Sequence, residues 1–424
     1  MLIAAAILAF TYLGIVFTRF PGVNIDRPAA ALVGALLMVF LGVLTAEQAL
    51  ATVDFRTLAL LFGMMLLIGA LQRAGFFTTL AARSVALAAG PRQLLWLVVV
   101  ATAVASAFLV NDVVVLLFTP IIINACRQLK LNPVPYLLGE AMASNIGSTA
   151  TIVGNPQNML IGVASGISFS RFFLILLPVA MVSTLILVAV LRFHYRGVFH
   201  QPVPEGVLEH RTLSVTSGQS MPAAQKRLLM WILPILGLAI LGFFIGNFWG
   251  LGVPMVALLA GVAAVLFSGL RPSRLIRDVD WSLLVFFAGL FVVIGGARQA
   301  GVLDFFLNRI QLEPDAFGIL SLHISSAALS QIVSNVPLTM LVIPLIQHAP
   351  ATVLWISLAA GSTLGGNATL LGAVANIIVV EGAYKQGVEV KWWEFAGIGL
   401  VVTVLSLAAS VGILLLEFQL GLLG

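Results

Sequence analysis

Charge is what this chain has least of. Asp, Glu, Lys and Arg make up 9% of its 424 residues and hydrophobic residues 61%, against roughly 25% charge in an ordinary soluble protein. A water-soluble fold is thereby excluded, and the expectation is a multi-pass integral protein of the plasma (inner) membrane, embedded in the lipid bilayer. Cysteine is nearly absent: Cys126 stands alone, so neither an intramolecular disulfide nor a multi-cysteine metal cage can form, and the residue reads as a small apolar filler. The histidines, His194, His200, His210, His323 and His348, show no metal-ligand spacing, and neither a metal nor another cofactor is expected. No G-x-x-x-x-G-K-[ST] segment occurs, so any ATP would have to be used by a separate ATPase subunit. The only long polar connector, 197–227, is too short for a catalytic domain, and the apolar segments hold no nucleophile–base pair; an enzyme is not expected. The net charge of +5 reads as basic loops on one side of a bilayer and carries no nucleic-acid footprint.

What the chain does have is apolar length. A helix crossing ~30 Å of hydrocarbon takes about 20 residues, and ten such segments can be read: 1–18, 28–45, 56–72, 136–161 and 172–191, then 228–245, 252–269, 281–297, 352–380 and 394–416. The first lacks the basic start and small-residue cleavage site of a signal peptide and is read as a span. The two sets of five are versions of each other. VDFRTLALLFGMMLLIGALQRAG from Val53 lies over VDWSLLVFFAGLFVVIGGARQAG from Val279, AFLVNDVVVLLFTP (Ala107 to Pro120) over QIVSNVPLTMLVIP (Gln331 to Pro344), and SNIGSTATIVGNPQN (Ser144 to Asn158) over STLGGNATLLGAVAN (Ser362 to Asn376), with the offset drifting from 226 to 224 to 218. Internal repeats with polar breaks at matching places, in so apolar a chain, are the pattern of secondary transporters, whose site lies at the repeat interface.

Five crossings is an odd number, so the second copy enters from the opposite face, as an inverted repeat. Charge agrees. One face collects every Lys and Arg except Arg56, Arg171, Arg298 and Arg309. By the positive-inside rule that face is cytoplasmic, with the 197–227 linker, and both termini lie outside. Residues 76–91 and 302–314 follow the third and eighth spans at matching places and read as amphipathic arm helices at the interface.

Two hairpins, 92–128 and 317–348, are divided by Asn111-Asp112 and by Ser334-Asn335. Their tips either reach the far surface or are re-entrant. An arm of 15 residues at ~1.5 Å per residue reaches about 22 Å, and each hairpin precedes a broken span that could receive its tip, so the re-entrant form is preferred. The broken spans carry Ser144, Asn145, Gly147, Ser148, Thr149, Thr151, Gly154, Asn155, Pro156 and Asn158 in one copy, and Ser362, Thr363, Gly365, Gly366, Asn367, Thr369, Gly372 and Asn376 in the other. Glycine pairs and a proline undo a helix, and inside a bilayer the freed backbone is tolerated only where it is buried in protein or lines a cavity. Small-residue helix packing would explain the glycines but not the matched asparagines and hydroxyls. A binding site for a small-molecule or ion substrate is expected here, built from these residues with Asn111, Asp112, Ser334 and Asn335.

Asp112 is read as the one carboxylate near the midplane, where such a group is costly and usually functional. It either carries a coupling proton or ligates a coupling cation, or else caps the helix at the tip or meets water. The second tip has Val336 at this place. Asp54 and Asp280 open matching helices and read as caps. Glu140 reads as a helix-start carboxylate or a lining of the cytoplasmic entrance, and Arg73 and Arg298 as interfacial anchors.

These four motifs, NDVVVLLFTPIII, SNIGSTATIVGNPQN, SNVPLTMLVIPLI and GSTLGGNATLLGAVAN, resemble the ion transporter superfamily. More narrowly they are similar to its arsenite/antimonite-efflux permease branch, related to sodium/proton antiporters and P-protein-like anion permeases. The resemblance runs over essentially the whole chain. It implies an all-α polytopic fold of two inverted repeats, each of five transmembrane helices plus one re-entrant hairpin. The first repeat would be 1–196 (scaffold 1–75, arm 76–91, hairpin 92–128, broken helix 136–161, last span 172–191) and the second 228–424 (scaffold 228–298, arm 302–314, hairpin 317–348, broken helix 352–380, last span 394–416). It further implies a homodimer, in which hairpins, broken spans and last spans move elevator-fashion against the scaffold. The Val110-Asn111-Asp112 and Ser334-Asn335-Val336 tips depart from the Ser-Asn-Thr signature of the dicarboxylate branch, and the sequence shows no obvious cation in the site to pair with a carboxylate. The expectation is proton-coupled efflux of arsenite or antimonite; a sodium-coupled anion or dicarboxylate symporter, a sodium/proton antiporter and a passive channel are the alternatives.

Overall fold

The computed structural model describes residues 1–17, 26–88, 90–199, 222–303, 312–347 and 351–423. Most of the expected 197–227 linker and the middle of the expected 302–314 arm lie outside the described residues. Among the described residues there is no strand.

Local chemistry sets the helix starts. Asp26 accepts from the Ala29 N–H and Pro28 sits in the first turn of α2 (Arg27–Phe40), where a missing N–H does no harm. Thr45 and Gln48 close a capping box on α3 (Ala46–Thr52). Asp54 accepts from the Arg56 N–H at 3.0 Å and opens α4 (Phe55–Arg73); its repeat mate Asp280 accepts from the Leu283 N–H at 3.0 Å and opens the third long helix of the second copy. Both are caps, as their positions suggest.

The first copy runs α1 (Leu2–Val16), α2, α3, α4, α5 (Phe76–Ala86), α6 (Pro91–Phe108), α7 (Asn111–Gln128), α8 (Val134–Thr149), α9 (Pro156–Ser165), α10 (Phe169–His194) and α11 (Arg196–Phe199). The second runs α12 (Ala223–Ile245), α13 (Val253–Phe267), α14 (Pro272–Arg277), α15 (Trp281–Gln299), α16 (Ala316–Val333), α17 (Asn335–Gln347), α18 (Thr352–Gly365), α19 (Val374–Lys385) and α20 (Trp392–Gln419). Among the described residues seven helices are long and apolar enough to cross a membrane; α1, α2 and α13 are apolar but shorter, at 15, 14 and 15 residues. Two of the seven are the hairpin arms α6 and α16, each 18 residues, or about 27 Å of helix. Arm length therefore does not argue for re-entrance.

The two copies exchange partners. Helix α4 packs on α13 and α2 on α15, each pair joining one copy to the other; α7 packs on α19 and α17 on α9 in the same reciprocal way, and α10 meets its mate α20. Reciprocal packing is what a two-fold relation produces. The copies run in opposite directions: the end of α4 meets the start of α15, where Arg73 Nη2 donates to Asp278 Oδ1 at 2.8 Å. Arg73 is thus ion-paired rather than a free anchor. Other contacts across the chain join residues that the charge count assigns to one face. On the basic face Arg127 reaches the Gln386 carbonyl and Tyr195 Oη donates to Glu394 Oε1 at 2.6 Å; on the other, Arg171 reaches the Leu422 carbonyl.

Close backbone approach holds the α4–α13 pair. A Cβ on Gly63 would stand 2.4 Å from the Ala257 carbonyl oxygen, while Gly261 lies against Gly63. Gly63→Ala is therefore expected to destabilise the detergent-purified protein by about 1–3 kcal/mol, the usual cost of overpacking. Because the clash is with backbone, Ala257→Gly will not rescue it. Thermal unfolding of the single and double variants checks both statements.

Candidate functional site

The breaks in both long segments arise where the sequence cannot continue a helix. Proline at 156 has no N–H and disfavours the α conformation at Asn155; α8 stops at Thr149, and Asn155 caps α9 by accepting from the Asn158 N–H at 2.8 Å. In the other copy α18 stops at Gly365 and a single 3₁₀ turn, Leu370–Gly372, precedes α19. The carbonyls freed by each break need donors, and repeat-mate asparagines supply them. Asn158 Nδ2 donates to the Ser148 and Thr151 carbonyls, both at 3.0 Å. Asn376 Nδ2 donates to those of Gly366 at 2.8 Å and Thr369 at 3.0 Å.

Both hairpin tips dock on these breaks. The Asn111 N–H donates to the Gly154 carbonyl at 3.0 Å. At the second tip Ser334 is held at φ 69°, a left-handed position a non-glycine residue rarely takes. In the amide orientation its neighbours require, Asn335 donates to the Gly372 and Ser362 carbonyls at 3.2 Å and accepts from Gln157 Nε2 at 3.1 Å.

Asn145 joins the two halves. Its Oδ1 accepts from Asn111 Nδ2 at 3.2 Å, and its Nδ2 donates to Asn367 Oδ1 at 2.9 Å and Asn376 Oδ1 at 3.0 Å. Around it Asn155 Nδ2 donates to Ser148 Oγ at 3.0 Å, Thr363 Oγ1 to Asn158 Oδ1 at 3.4 Å, and Thr369 Oγ1 to Gln331 Oε1 at 2.9 Å. Other expected site residues turn away. Ser144, Thr149 and Ser362 donate to carbonyls of their own helices, and Thr151 to that of Ala107 in the facing arm. Gly147 and Gly365 are contact points, since a Cβ there would stand 2.1 Å from the Ala103 carbonyl oxygen and 2.6 Å from Ala327 Cα. Small-residue packing thus accounts for those glycines, and the amides are a separate feature.

A cavity of about 270 Å³ opens in front of the network. One wall is Asn111, Asp112, Asn145, Gln157, Ser334 and Asn335; the other is Arg27, Asp280, Ser282 and Phe286, from the N-terminal ends of α2 and α15. Asn111 is 4% exposed, and its Oδ1 is buried without a hydrogen-bond partner. Tyr12 Oη, on α1, also crosses to the tips, donating to the Pro337 carbonyl at 2.8 Å. The site therefore sits against the basic-face ends of α2 and α15.

Three expectations need correction. A cation does stand in the site: Arg27, counted among the basic loops, lines the cavity. Asp112 is not its only carboxylate, because Asp280 faces the same space. Glu140 neither starts a helix nor lines an entrance. It lies in the second turn of α8, fully buried, with both carboxylate oxygens 3.1 Å from Thr119 Oγ1, a hydroxyl already within 2.8 Å of the Val115 carbonyl. Gln157 and Gln331 also belong to the network and went unassigned; an amide inside GNPQN, and one opening the aligned QIVSN, were the signals available.

The family model described as citrate transporter (CitMHS) matches residues 12–361. The 46 kDa membrane protein of Mycobacterium leprae is 30% identical over 96% of this chain and 97% of its own length. The silicon efflux transporter LSI3 of rice (Oryza sativa subsp. japonica) is 28% identical over 93% of this chain and 94% of its own. Among solved structures, the YdaH transporter of Alcanivorax borkumensis superposes with a TM-score of 0.61 over 99% of this chain and 97% of that one, at 15% identity; the likeness is one of fold.

Proposed function

Because the chain belongs to the citrate transporter family and is a secondary transporter, not an enzyme, we propose that it carries a small anion or hydroxylated oxyacid across the membrane by alternating access, coupled to protons through Asp112. Arsenite and antimonite are the specific candidates the tip sequences suggest, and the rice relative named for silicon efflux adds the hydroxide of silicon to the same chemical class. The carrying observation is a cavity wall made of side-chain amides, Asn111, Asn145, Gln157 and Asn335 beside Ser334: a solute with hydroxyl hydrogens finds acceptors there, and the same amides supply donors for its oxygens.

The coupling follows from charge. Hydroxyl hydrogens donated to an ionised Asp112 compete with its proton, so an uncharged oxyacid exchanges against protons and is driven outward. An anion beside two carboxylates is favoured by protonation of Asp112, so it travels with the proton. Hairpins, broken helices and last helices would move as one body against the α1–α4 and α12–α15 scaffold, with the basic face cytoplasmic and a homodimer as the assembly.

Reconstituted protein should show saturable counterflow of silicic acid, arsenite or citrate, with accumulation reversing sign when the pH difference is reversed. Solute movement at open-channel rates, or no counterflow of any of the three, would sink the carrier reading.

A further inference from the structure

Arg27 stands across the cavity from the amide network, on the wall that α2 supplies. The ion pairs among the described residues are Arg56–Asp54 and Arg73–Asp278, so no carboxylate holds the Arg27 guanidinium within 4 Å. Asp112 lines the same cavity. Asp280, the second carboxylate in this space, is occupied in capping α15 through the Leu283 N–H. A half-buried guanidinium with open donors, across a cavity from a wall of side-chain amides, suits a ligand that carries both an anionic group and a hydroxyl.

The repeat relation adds a second observation. Pro28 in the first turn of α2 matches Pro254 in the first turn of α13 at the 226-residue offset of the neighbouring segment. Arg27 then falls on Val253, and Tyr12, whose hydroxyl reaches the Pro337 carbonyl, falls on Leu238. At the far end of the scaffold the corresponding wall has valine where this one has arginine, and the cap Asp54 is taken by Arg56 at 3.4 Å.

We propose that Arg27 is a substrate-recognition residue supplied by the scaffold rather than by the broken helices, so that the site binds its solute as an anion, and does so more tightly when it opens to the basic face than to the opposite one. This rests on the carrier reading and narrows it: a carboxylate or other anion is held by Arg27, whereas an uncharged oxyacid engages the amides alone. An ionised Asp112 lining the same cavity repels the anion, so the anion and a proton on Asp112 bind together. Because Arg27 does not travel with the amides, the site loses its cation on crossing, which favours release at the far face.

The test is equilibrium binding to purified, detergent-solubilised protein, with citrate as the anionic probe and silicic acid as the uncharged one, followed by initial-rate counterflow in right-side-out and everted vesicles. Arg27→Val, which copies the repeat mate, should weaken citrate at least tenfold and silicic acid less than twofold. Arg27→Lys should stay within about threefold of wild type, and Asp112→Asn should tighten citrate. In vesicles the Arg27→Val loss should be confined to the basic face. Absence of citrate binding to wild type, equal weakening of both probes, or equal loss at both faces would overturn the assignment. If Arg27→Val does not fold, Arg27→Gln and Arg27→Lys give the same comparison. Binding needs no transport, so wild-type protein that binds citrate through Arg27 yet shows no counterflow would uphold this inference while defeating the carrier reading.

Discussion

Vesicles carrying Asp112→Asn are expected to exchange substrate across the membrane but not to accumulate it when a pH difference is imposed. Asparagine keeps the size of the side chain and its place in the first turn of α7, yet it cannot take up and release a proton. Asp112 lines the same cavity as Arg27 and Asp280, one charged group of each sign. For one coupled proton, a pH difference of one unit sustains at most about a tenfold concentration ratio, the equivalent of 1.4 kcal/mol. The variant should give a ratio of one, with counterflow still saturable. Retention of the full ratio would remove Asp112 from the coupling step. Accumulation driven by a sodium gradient at matched pH would reassign the residue as a cation ligand.

What could be read from the sequence was what local chemistry decides. Pro156, Gly154 and the Gly365-Gly366 pair forbid a continuous helix wherever they are placed, so both breaks were legible, as were the caps at Asp54 and Asp280. Asn145, Asn158 and Asn376 were recognisable because amides in an apolar segment must be satisfied by something. The Arg27 role was not legible, since nothing local distinguishes an arginine in the first turn of α2 from any other basic residue at a membrane edge. Its place in the cavity is a tertiary fact: the hairpin tips lie opposite the basic-face ends of α2 and α15, not opposite their middles. Glu140 was misread for a related reason. Helix α8 begins at Val134, so the seventh residue of the helix is already enclosed, and only the packing of α7 brings Thr119 to it. The hydroxyls of Ser144, Thr149 and Ser362 looked like ligands in a linear string, but in a helix such side chains fold back on the carbonyls three or four residues earlier.

Asn145→Ala is expected to be the most damaging single substitution in the amide network. The amide bridges three other asparagines, and its loss strands Asn111 Nδ2 together with the Asn367 and Asn376 Oδ1 atoms in a region where all four residues are buried. An orphaned buried polar group costs about 1–3 kcal/mol, so three of them place the penalty at roughly 3 kcal/mol or more, before any loss of binding. Asn155→Ala removes a cap and a bond to Ser148 and should cost about 1–2 kcal/mol. Asn145→Asp tests the direction of the bonds: it keeps the acceptor for Asn111 but presents a second oxygen to two side-chain carbonyls, and should be no better tolerated than alanine. Thermal unfolding and citrate or silicic acid binding, measured on the same preparations, give the order. The double variant Asn145→Ala/Asn376→Ala should lose less than the sum of its parts, because the partner stranded by one change is removed by the other. Strict additivity, or an Asn145→Ala protein as stable as one altered at exposed Lys385, would mean that the two repeats are not held together through this side chain.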